Sequence, residues 1–327
     1  MYEIRNLIVI GASAGGIRAV SKVLAGFSKN TDAAIIIVVH VSKSSNAQNI
    51  ADILQRNTSV ECLVAANLLE IEQGKAYIAQ PDHHLMVDGP VMMLNQGPHE
   101  NRYRPSIDVL FRSAAVHYTN QVIGIILTGM LDDGTSGMHA IKSCGGLCII
   151  QDPLEAEFSD MPQSVLNKVE VDYMANLKDI PFIVEDLMSK PLPSKVDVPE
   201  ELKLEAEITE RLMSNIDDLK KIGDRSDFVC PDCGGGLWEV KNDPSHRYRC
   251  YTGHVYSEKI LQELQDQKIE ESLWVSIRML EEKQNMLRLA SGRKNLNGNP
   301  ALSSSFNRRI EDTEQHISRL KSLLKSI

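Results

Sequence analysis

The sequence of 327 residues predicts a doubly wound α/β domain, a parallel Rossmann-like sheet covered by helices, followed by a small cysteine-containing segment and an α-helical hairpin. As far as about residue 190, short runs of Val, Ile and Leu alternate with stretches whose apolar residues recur every three or four positions. Unbroken apolar strands are typical of a parallel sheet buried on both faces. After the proline-rich stretch 190–199, Cys, Gly and aromatic residues concentrate in residues 228–256. We therefore expect four parts, which are residues 1–190, 191–225, 226–256 and 257–327.

The elements of the first part can be predicted in order along the chain. A buried strand comes first, and after a glycine-rich turn the apolar positions follow helical spacing. The Asp88-Gly89 pair between two apolar runs predicts a β-hairpin, and Pro105 is a suitable residue to open a helix. The predicted strands are 7–10, 34–39, 76–79, 85–87, 91–94, 122–127 and 147–150, and the predicted helices are 17–27, 46–55, 106–118 and 135–144.

The C-terminal part of the chain predicts helices on both sides of the cysteine-containing segment. A charged helix is expected over residues 200–221 and a long helix over 257–289, and Asn and Gly residues in 291–300 separate the long helix from a last one over 303–324. Two amphipathic helices joined by a short polar turn form an αα-hairpin. Packing or dimerisation is its expected role, and docking of a partner is the alternative. The apolar stripe of the long helix consists of Leu261, Leu264, Ile269, Leu273, Ile277 and Leu280.

Composition and charge exclude several classes of protein. The net charge is −9 and neither half of the chain is basic, so binding to a nucleic-acid backbone is not expected. Apolar runs such as 33–39 are far too short to span a membrane, and the N-terminus shows no signal-peptide pattern. We expect a soluble, cytoplasmic protein. Cys62, Cys144 and Cys148 lie in apolar stretches and are predicted to be small buried residues.

The glycine-rich turn of residues 11–16 (GASAGG) ends the first strand and opens a helix, which is where ligands bind in doubly wound sheets. A dinucleotide-binding turn would have a glycine in place of Ser13 and an acidic residue in place of His40 at the end of the second strand. Both differences disfavour a nucleotide and favour a serine presented on a tight turn as a nucleophile. The start of the following helix would supply N–H groups to a developing oxyanion.

A serine hydroxyl needs a base within hydrogen-bond reach and an acid that orients this base. His40 ends the neighbouring strand, so it emerges at the same edge of the sheet as Ser13. Asp132 and Asp133 follow the strand 122–127 and reach that edge as well. Each of these residues alone has an ordinary explanation as a cap or a turn former. The three types together predict a Ser-His-Asp triad, which is defined by geometry and not by chain order.

Several motifs occur in order along this part of the chain. They are residues 9–16 (VIGASAGG), 38–40 (VVH), 78–85 (IAQPDHHL), 104–111 (RPSIDVLF), 127–130 (LTGM) with 133–134 (DG), and 151–152 (QD). On these motifs, residues 6 to about 187 resemble the catalytic domain of the chemotaxis receptor methylesterases of the CheB type.

The resemblance implies a serine hydrolase that removes methyl groups from γ-glutamyl methyl esters on the cytoplasmic helices of chemoreceptors and often deamidates receptor glutamines. By motif position, Ser13 would be the nucleophile, His40 the general base and acid, and Asp133 the residue that orients His40. Asp133 matches, and Asp132 does not, because the acid of the family directly precedes a glycine. Met130 would line the site close to the oxyanion.

The sequence departs from the family pattern at several positions. Ala14 follows the nucleophile where the family usually has Thr, so a side-chain hydrogen bond is missing, although the backbone N–H of Ala14 remains available to an oxyanion. Leu131 replaces a common glycine. The familiar members also carry an N-terminal response-regulator receiver domain, and we expect none here because the sequence begins at the first catalytic strand. We therefore expect an enzyme that is constitutively active or regulated through its C-terminal part. The alternative is a catalytically weak scaffold that acts in a chemosensory complex through that part.

A second site is predicted in the C-terminal part. Cys230 and Cys233 form a C-x2-C turn followed by glycines, and after sixteen intervening residues Cys250 and His254 form a second turn. Three thiolates and one imidazole at this spacing predict a tetrahedral, structural Zn²⁺ site in a zinc-ribbon-like segment. A redox-active dithiol is the alternative for the C-x2-C turn, and His246 is the alternative fourth ligand. Such a segment is expected to contact proteins, either receptors or a receptor methyltransferase.

Overall fold

A computed structural model describes residues 5–212, 215–295 and 300–326 of the chain. The chain divides into two compact units, Met1–Ile260 and Leu261–Ile327. The first unit contains the predicted α/β domain together with the cysteine-containing segment. The four-part division of the chain stays a prediction.

A seven-stranded parallel sheet forms the centre of the first unit, in the order β3-β4-β2-β1-β7-β8-β9. Parallel strands must be connected by crossovers, and here the crossovers are mostly helices. The predicted doubly wound α/β fold is therefore confirmed. Its strands are β1 (Leu7–Ala12), β2 (Ala34–Val39), β3 (Glu61–Val64), β4 (Lys75–Ile78), β7 (Val122–Ile126), β8 (Leu147–Gln151) and β9 (Tyr173–Ala175), while β5 (His84–Asp88) and β6 (Val91–Asn95) form the predicted hairpin.

Helices cover both faces of the sheet because successive side chains of its strands point to opposite faces. In β1, Ile8 packs into one apolar core and Val9 into the other. Helices α1, α2 and α6 pack on the Ile8 side, and helices α3, α4 and α5 pack on the Val9 side. Their bounds are α1 Gly16–Leu24, α2 Ala47–Gln55, α3 Ile107–Tyr118, α4 Thr135–Ser143, α5 Asp160–Lys168 and α6 Ile180–Ser189.

The expected single helix over 200–221 is two helices, α7 (Glu200–Arg211) and α8 (Ile216–Ile222). Leu212 ends the first one with a left-handed backbone (φ 64°), a conformation that cannot continue a right-handed helix. Asn215 then caps the second one, since its side chain accepts a hydrogen bond from the N–H of Asp218 at 2.7 Å. The prediction from helical spacing alone missed this interruption.

The cysteine-containing segment folds as a four-stranded antiparallel sheet within the first unit. Its strands are β10 (Gly223–Val229), β11 (Gly236–Val240), β12 (Arg247–Cys250) and β13 (Val255–Ser257). We call residues 223–257 the ribbon segment below.

The second unit contains most of α9 (Glu258–Asn295) and all of α10 (Pro300–Leu324). The helix α9 is longer than predicted because Ser291 and Gly292 only weaken a helix interior and do not end it. Residues 296–299 of the predicted turn lie outside the described residues. Lys321 of α10 pairs with Glu281 of α9 at 2.7 Å. Of the predicted apolar stripe, Leu261, Leu264 and Ile277 are buried, whereas Ile269 is half exposed.

No helix in the described part of the chain is both long and apolar enough to cross a membrane.

Candidate active site and metal-binding group

Ser13 lies on the turn between β1 and α1, at the carboxyl end of the central strand. The N–H of Ser13 donates to the carbonyl of Thr128 at 3.0 Å, which joins this turn to the loop after β7. Gly15 has a left-handed backbone (φ 73°) that lets the chain turn directly into the helix. Gly129 passes so close to Ser13 that a Cβ there would lie 2.8 Å from the Ser13 Cβ. The tight turn predicted around Ser13 is therefore present.

His40 follows β2 and lies beside the Ser13 turn. Its backbone N–H donates to the carbonyl of Ala12 at 3.0 Å, so the two strand ends emerge together. The imidazole is 3% exposed, and its Nε2 atom lies 2.9 Å from Oδ2 of Asp133. The ring of Tyr103 stacks on the imidazole with centroids 3.5 Å apart and planes at 10°. The stacked ring of Tyr103 and the contact with Asp133 thus hold the imidazole in one orientation.

Asp133 is fully buried and accepts hydrogen bonds at both carboxylate oxygens. Besides His40, the donors are the side chains of Asn101 (3.0 Å) and Ser106 (2.9 Å) and the backbone N–H groups of Ile107 (2.7 Å) and Asp108 (3.3 Å). Burial alone would raise the pKa of Asp133, but these bonds and the interaction with His40 lower it to about 2. Asp133 is therefore ionised and accepts the Nε2–H of His40, so Nδ1 is the ring nitrogen of His40 that remains for another partner.

Among the described residues, no other protein group engages Nδ1 of His40 or the hydroxyl of Ser13. Nδ1 of His40 is buried and has no hydrogen-bond partner among the described residues. The hydroxyl of Ser13 likewise makes no hydrogen bond to any residue in the described ranges. The structure therefore joins His40 to Asp133 and places Ser13 on the adjacent strand end.

Two backbone N–H groups next to Ser13 make no hydrogen bond to other described residues. Within the described residues, neither the N–H of Ala14 nor that of Met130 donates to another protein group. Ala14 directly follows Ser13, and Met130 follows Gly129, which packs against Ser13. Met130 is 49% exposed, as expected for a residue that lines an accessible site.

Asn101, Tyr103 and Ser106 were not identified from the sequence, although all three contact the buried pair or its neighbours. The loop that carries the first two has an unusual backbone in the structure, because Asn101 and Arg102 are both left-handed (φ 52° and 70°). Asn tolerates this conformation better than most residues. Nothing in the linear spacing indicated that this loop meets His40.

The four predicted metal ligands lie together in the ribbon segment. The ligand atoms of Cys230, Cys233, Cys250 and His254 all lie within 4.8 Å of one another. Sγ of Cys233 is 3.7 Å from Sγ of Cys250, and Nδ1 of His254 is 3.6 Å from Sγ of Cys250 and 3.7 Å from Sγ of Cys230. Tetrahedral Zn²⁺ with its usual bond lengths holds such atoms about 3.6–3.8 Å apart. The group has the composition and the size to bind a metal ion.

His246, the alternative fourth ligand, lies outside this group. Its side chain is 62% exposed and pairs with Glu239 at 3.2 Å. The other three cysteines are buried in the α/β core, and burial raises the pKa of Cys62 and of Cys144 to about 11.

Comparisons with known proteins agree with this architecture. The family model described as CheB methylesterase matches residues 8–184. A relative from Leptospira interrogans is 38% identical over 174 residues, which cover 53% of this chain and 90% of the relative. A protein from Hydrogenovibrio crunogenus, named protein-glutamate methylesterase/protein-glutamine glutaminase, is 33% identical over 189 residues, and this region is 57% of this chain but only half of that protein.

A solved structure matches the same region. The crystal structure of the Thermotoga maritima CheB methylesterase catalytic domain is 30% identical, with a TM-score of 0.54, and the match covers 56% of this chain and 98% of that domain. The family model covers more than half of the chain, and the sheet and its flanking helices match the solved domain. The chain therefore belongs to the CheB methylesterase family.

Proposed function

We propose that this chain hydrolyses γ-glutamyl methyl esters on chemoreceptor helices, with Ser13 as the nucleophile, His40 as the general base and acid, and Asp133 as the residue that orients His40. The reaction class, hydrolysis of methyl esters, is that of the family. The observation that carries the assignment is the 2.9 Å contact between His40 and a fully buried, ionised Asp133 beside the Ser13 turn. Relatives are also named glutaminases, so the same site would deamidate glutamine side chains.

The proposed reaction uses two acyl-transfer steps. Oγ of Ser13 attacks the ester carbonyl while its proton moves to Nδ1 of His40, and the ionised Asp133 stabilises the imidazolium. The N–H groups of Ala14 and Met130 would bind the oxyanion of the tetrahedral intermediate. His40 then protonates the departing methanol, and a water molecule hydrolyses the acyl-enzyme by the same route in reverse, which releases a glutamate carboxylate.

For the C-terminal part of the chain, we propose a structural Zn²⁺ ion held by Cys230, Cys233, Cys250 and His254. The donor set supports it, since three sulfurs and one imidazole nitrogen satisfy a closed tetrahedral site and leave no position for substrate. Bound zinc would stabilise a segment too small to fold on its own core. A redox dithiol is disfavoured because the histidine and the third cysteine lie at ligand distance from the C-x2-C turn.

The proposed partners are methylated receptor helices and a receptor methyltransferase, and the proposed location is the cytoplasm, where a thiolate-bound zinc site is stable. The alternative of a catalytically weak scaffold has no observation in its favour. Ala14 removes a side-chain hydroxyl but keeps its backbone N–H free, so the features that would bind an oxyanion remain.

Methanol release from a methylated chemoreceptor fragment tests the proposal. The wild type should release methanol, and Ser13→Ala should abolish release while unfolding at the same temperature as the wild type. Ser44→Ala is the matched control, because Ser44 is an exposed serine whose side chain bonds only to Ser42 among the described residues. Equal release by wild type and Ser13→Ala would overturn the assignment of the nucleophile, and no release by the wild type would overturn the function.

A further inference from the structure

One loop contacts the candidate active site and the ribbon segment at the same time. In the loop of residues 99–104, His99 and Asn101 pair with β13 of the ribbon segment through their backbone, since the N–H of Val255 donates to the carbonyl of His99 at 3.3 Å and the N–H of Asn101 donates to the carbonyl of Val255 at 2.8 Å. The same loop carries Tyr103, which stacks on His40. Its position therefore affects both the ribbon segment and the imidazole.

Asn101 is the residue that connects the two sites directly. Its side-chain N–H₂ group donates to Asp133 at 3.0 Å and to Asp108 at 2.8 Å, and its side-chain oxygen accepts the N–H of Ser257 at 3.0 Å. All of these contacts are buried, and each polar atom of the amide is in use. A shift of β13 would therefore move the amide that holds the carboxylate of Asp133.

A second group of contacts also joins the ribbon segment to residues next to Asp133 and Asn101. The hydroxyl of Ser257 donates at 2.9 Å to Asp132, the neighbour of Asp133. Arg249, directly before the ligand Cys250, pairs at 3.2 Å with Glu100, directly before Asn101. Both residues of this ion pair are 2% exposed in their side chains, so the contact is not screened by solvent.

We infer that the metal-binding group of the ribbon segment positions the catalytic pair His40–Asp133, with Asn101 as the positioning residue. The strand β13 begins at Val255, immediately after the ligand His254. A bound metal ion fixes the two ligand turns relative to each other and thereby fixes the edge of β13 on which the loop 99–104 is paired. The measurement of turnover rests on the proposed function, whereas the connection between the two sites rests on the contacts described above.

The test uses the full chain with Zn²⁺ bound, the same chain after removal of the metal by a chelator, and the variant Asn101→Gly. Glycine keeps the left-handed backbone at position 101 (φ 52°) and removes the side chain with its amide. Asn242→Gly is the matched control, because Asn242 also has a left-handed backbone (φ 55°) but lies exposed in the ribbon segment.

Two readouts separate positioning from a general structural role. The first is the downfield NMR resonance of the proton between Nε2 of His40 and Asp133, assigned by its loss in His40→Asn, which needs no turnover. The second is the change in kcat and, measured separately, the change in KM for methyl-ester hydrolysis. Metal removal and Asn101→Gly should each weaken the resonance and lower kcat by about ten- to a hundredfold with little change in KM, because small misplacements of a catalytic group have effects of this size.

Adding Zn²⁺ back should restore the resonance in the wild type, and removing the metal from Asn101→Gly should cause little further loss, since both changes act through one connection. A metal-free wild type, or an Asn101→Gly variant, that keeps the resonance and the wild-type kcat would overturn the inference. If the wild type releases no methanol while its resonance responds to the metal and to Asn101→Gly, the proposed function fails and the inference stands.

Discussion

Asp108 and Asp133 lie side by side in the interior of the first unit, and the amide of Asn101 donates a hydrogen bond to both carboxyl groups, at 2.8 Å and 3.0 Å. Their pKa values are shifted in opposite directions. Burial and the nearby charge of Asp133 raise the pKa of Asp108 well above its ordinary value, whereas the hydrogen bonds from His40 and its other donors lower that of Asp133 to about 2. Negative charge is thus favoured on the carboxylate that contacts His40.

The variant Asp133→Asn should lose nearly all esterase activity. An amide in place of the carboxylate favours the wrong tautomer of His40 and does not stabilise the imidazolium, and an equivalent change in a serine protease triad costs about 10⁴-fold in kcat. Asp108→Asn is the comparison, because Asp108 makes no hydrogen bond to His40 among the described residues and its raised pKa favours its neutral form. Measured kcat values should therefore be far lower for Asp133→Asn than for Asp108→Asn, and equal losses would contradict the assignment of Asp133.

The chain should lose stability in acid. The folded-state pKa of Asp133 is about 2, below its ordinary value of 3.8, so its contribution to the free energy of unfolding is present above about pH 4 and is lost as the pH falls towards 2. The loss amounts to about 2 kcal/mol for this one group. Glu100, Glu205 and Asp243 act in the same direction, because neighbouring arginines outweigh burial and lower their pKa values.

Urea unfolding at pH 4 and at pH 2.5 checks this dependence. Between these two pH values the midpoint should fall in the wild type, and it should fall less in Asp133→Asn, which lacks the titrating carboxylate. A fall of the same size in both proteins would show that Asp133 does not titrate as proposed.

The sequence was sufficient to predict five of the seven strands of the parallel sheet and to single out the motifs of the candidate sites, because these depend on local patterns. The apolar runs, the turn around Ser13 and the spacing of the cysteines each lie within a short stretch of the chain. The contact of Ser257 with Asn101 joins residues 156 positions apart, and no local pattern indicates such a pairing. The end of a helix at Leu212 was missed for a related reason, since a leucine normally favours helix and only its surroundings impose the left-handed backbone.

Leu131 is a position where a change to glycine should stabilise the protein. Its backbone is left-handed (φ 67°), which disfavours any residue with a Cβ by about 1–2 kcal/mol. Glycine removes this strain but loses more conformational entropy on folding, so Leu131→Gly should raise the free energy of unfolding by about 0.5–1 kcal/mol. Thermal and urea unfolding measure the difference.

Leu131→Ala is the matched control for this change. It removes most of the side chain but keeps the Cβ, so it should not share the gain. If alanine stabilised the protein as much as glycine, the side chain and not the backbone would be responsible.

The last prediction concerns the buried charges that join α7 to the ribbon segment. Glu205 accepts two hydrogen bonds from Arg247, both at 2.8 Å, and lies 3.5 Å from Arg112 and from Arg249. All four side chains are 2–3% exposed. Removing the charge of Glu205 leaves three guanidinium groups with too little compensation, so Glu205→Gln should lower the free energy of unfolding by about 3–5 kcal/mol.

Glu200→Gln, on the same helix, is the control for this variant. Glu200 pairs with Lys203 at 2.6 Å, but its side chain is 85% exposed, and exposed pairs of this kind contribute little because water and salt screen them. Its unfolding midpoint should therefore match that of the wild type. Since Arg249 also holds Glu100 beside Asn101, Glu205→Gln should in addition reduce kcat, and a variant that lost stability without any loss of kcat would show that the charge cluster supports the fold but not the catalytic pair.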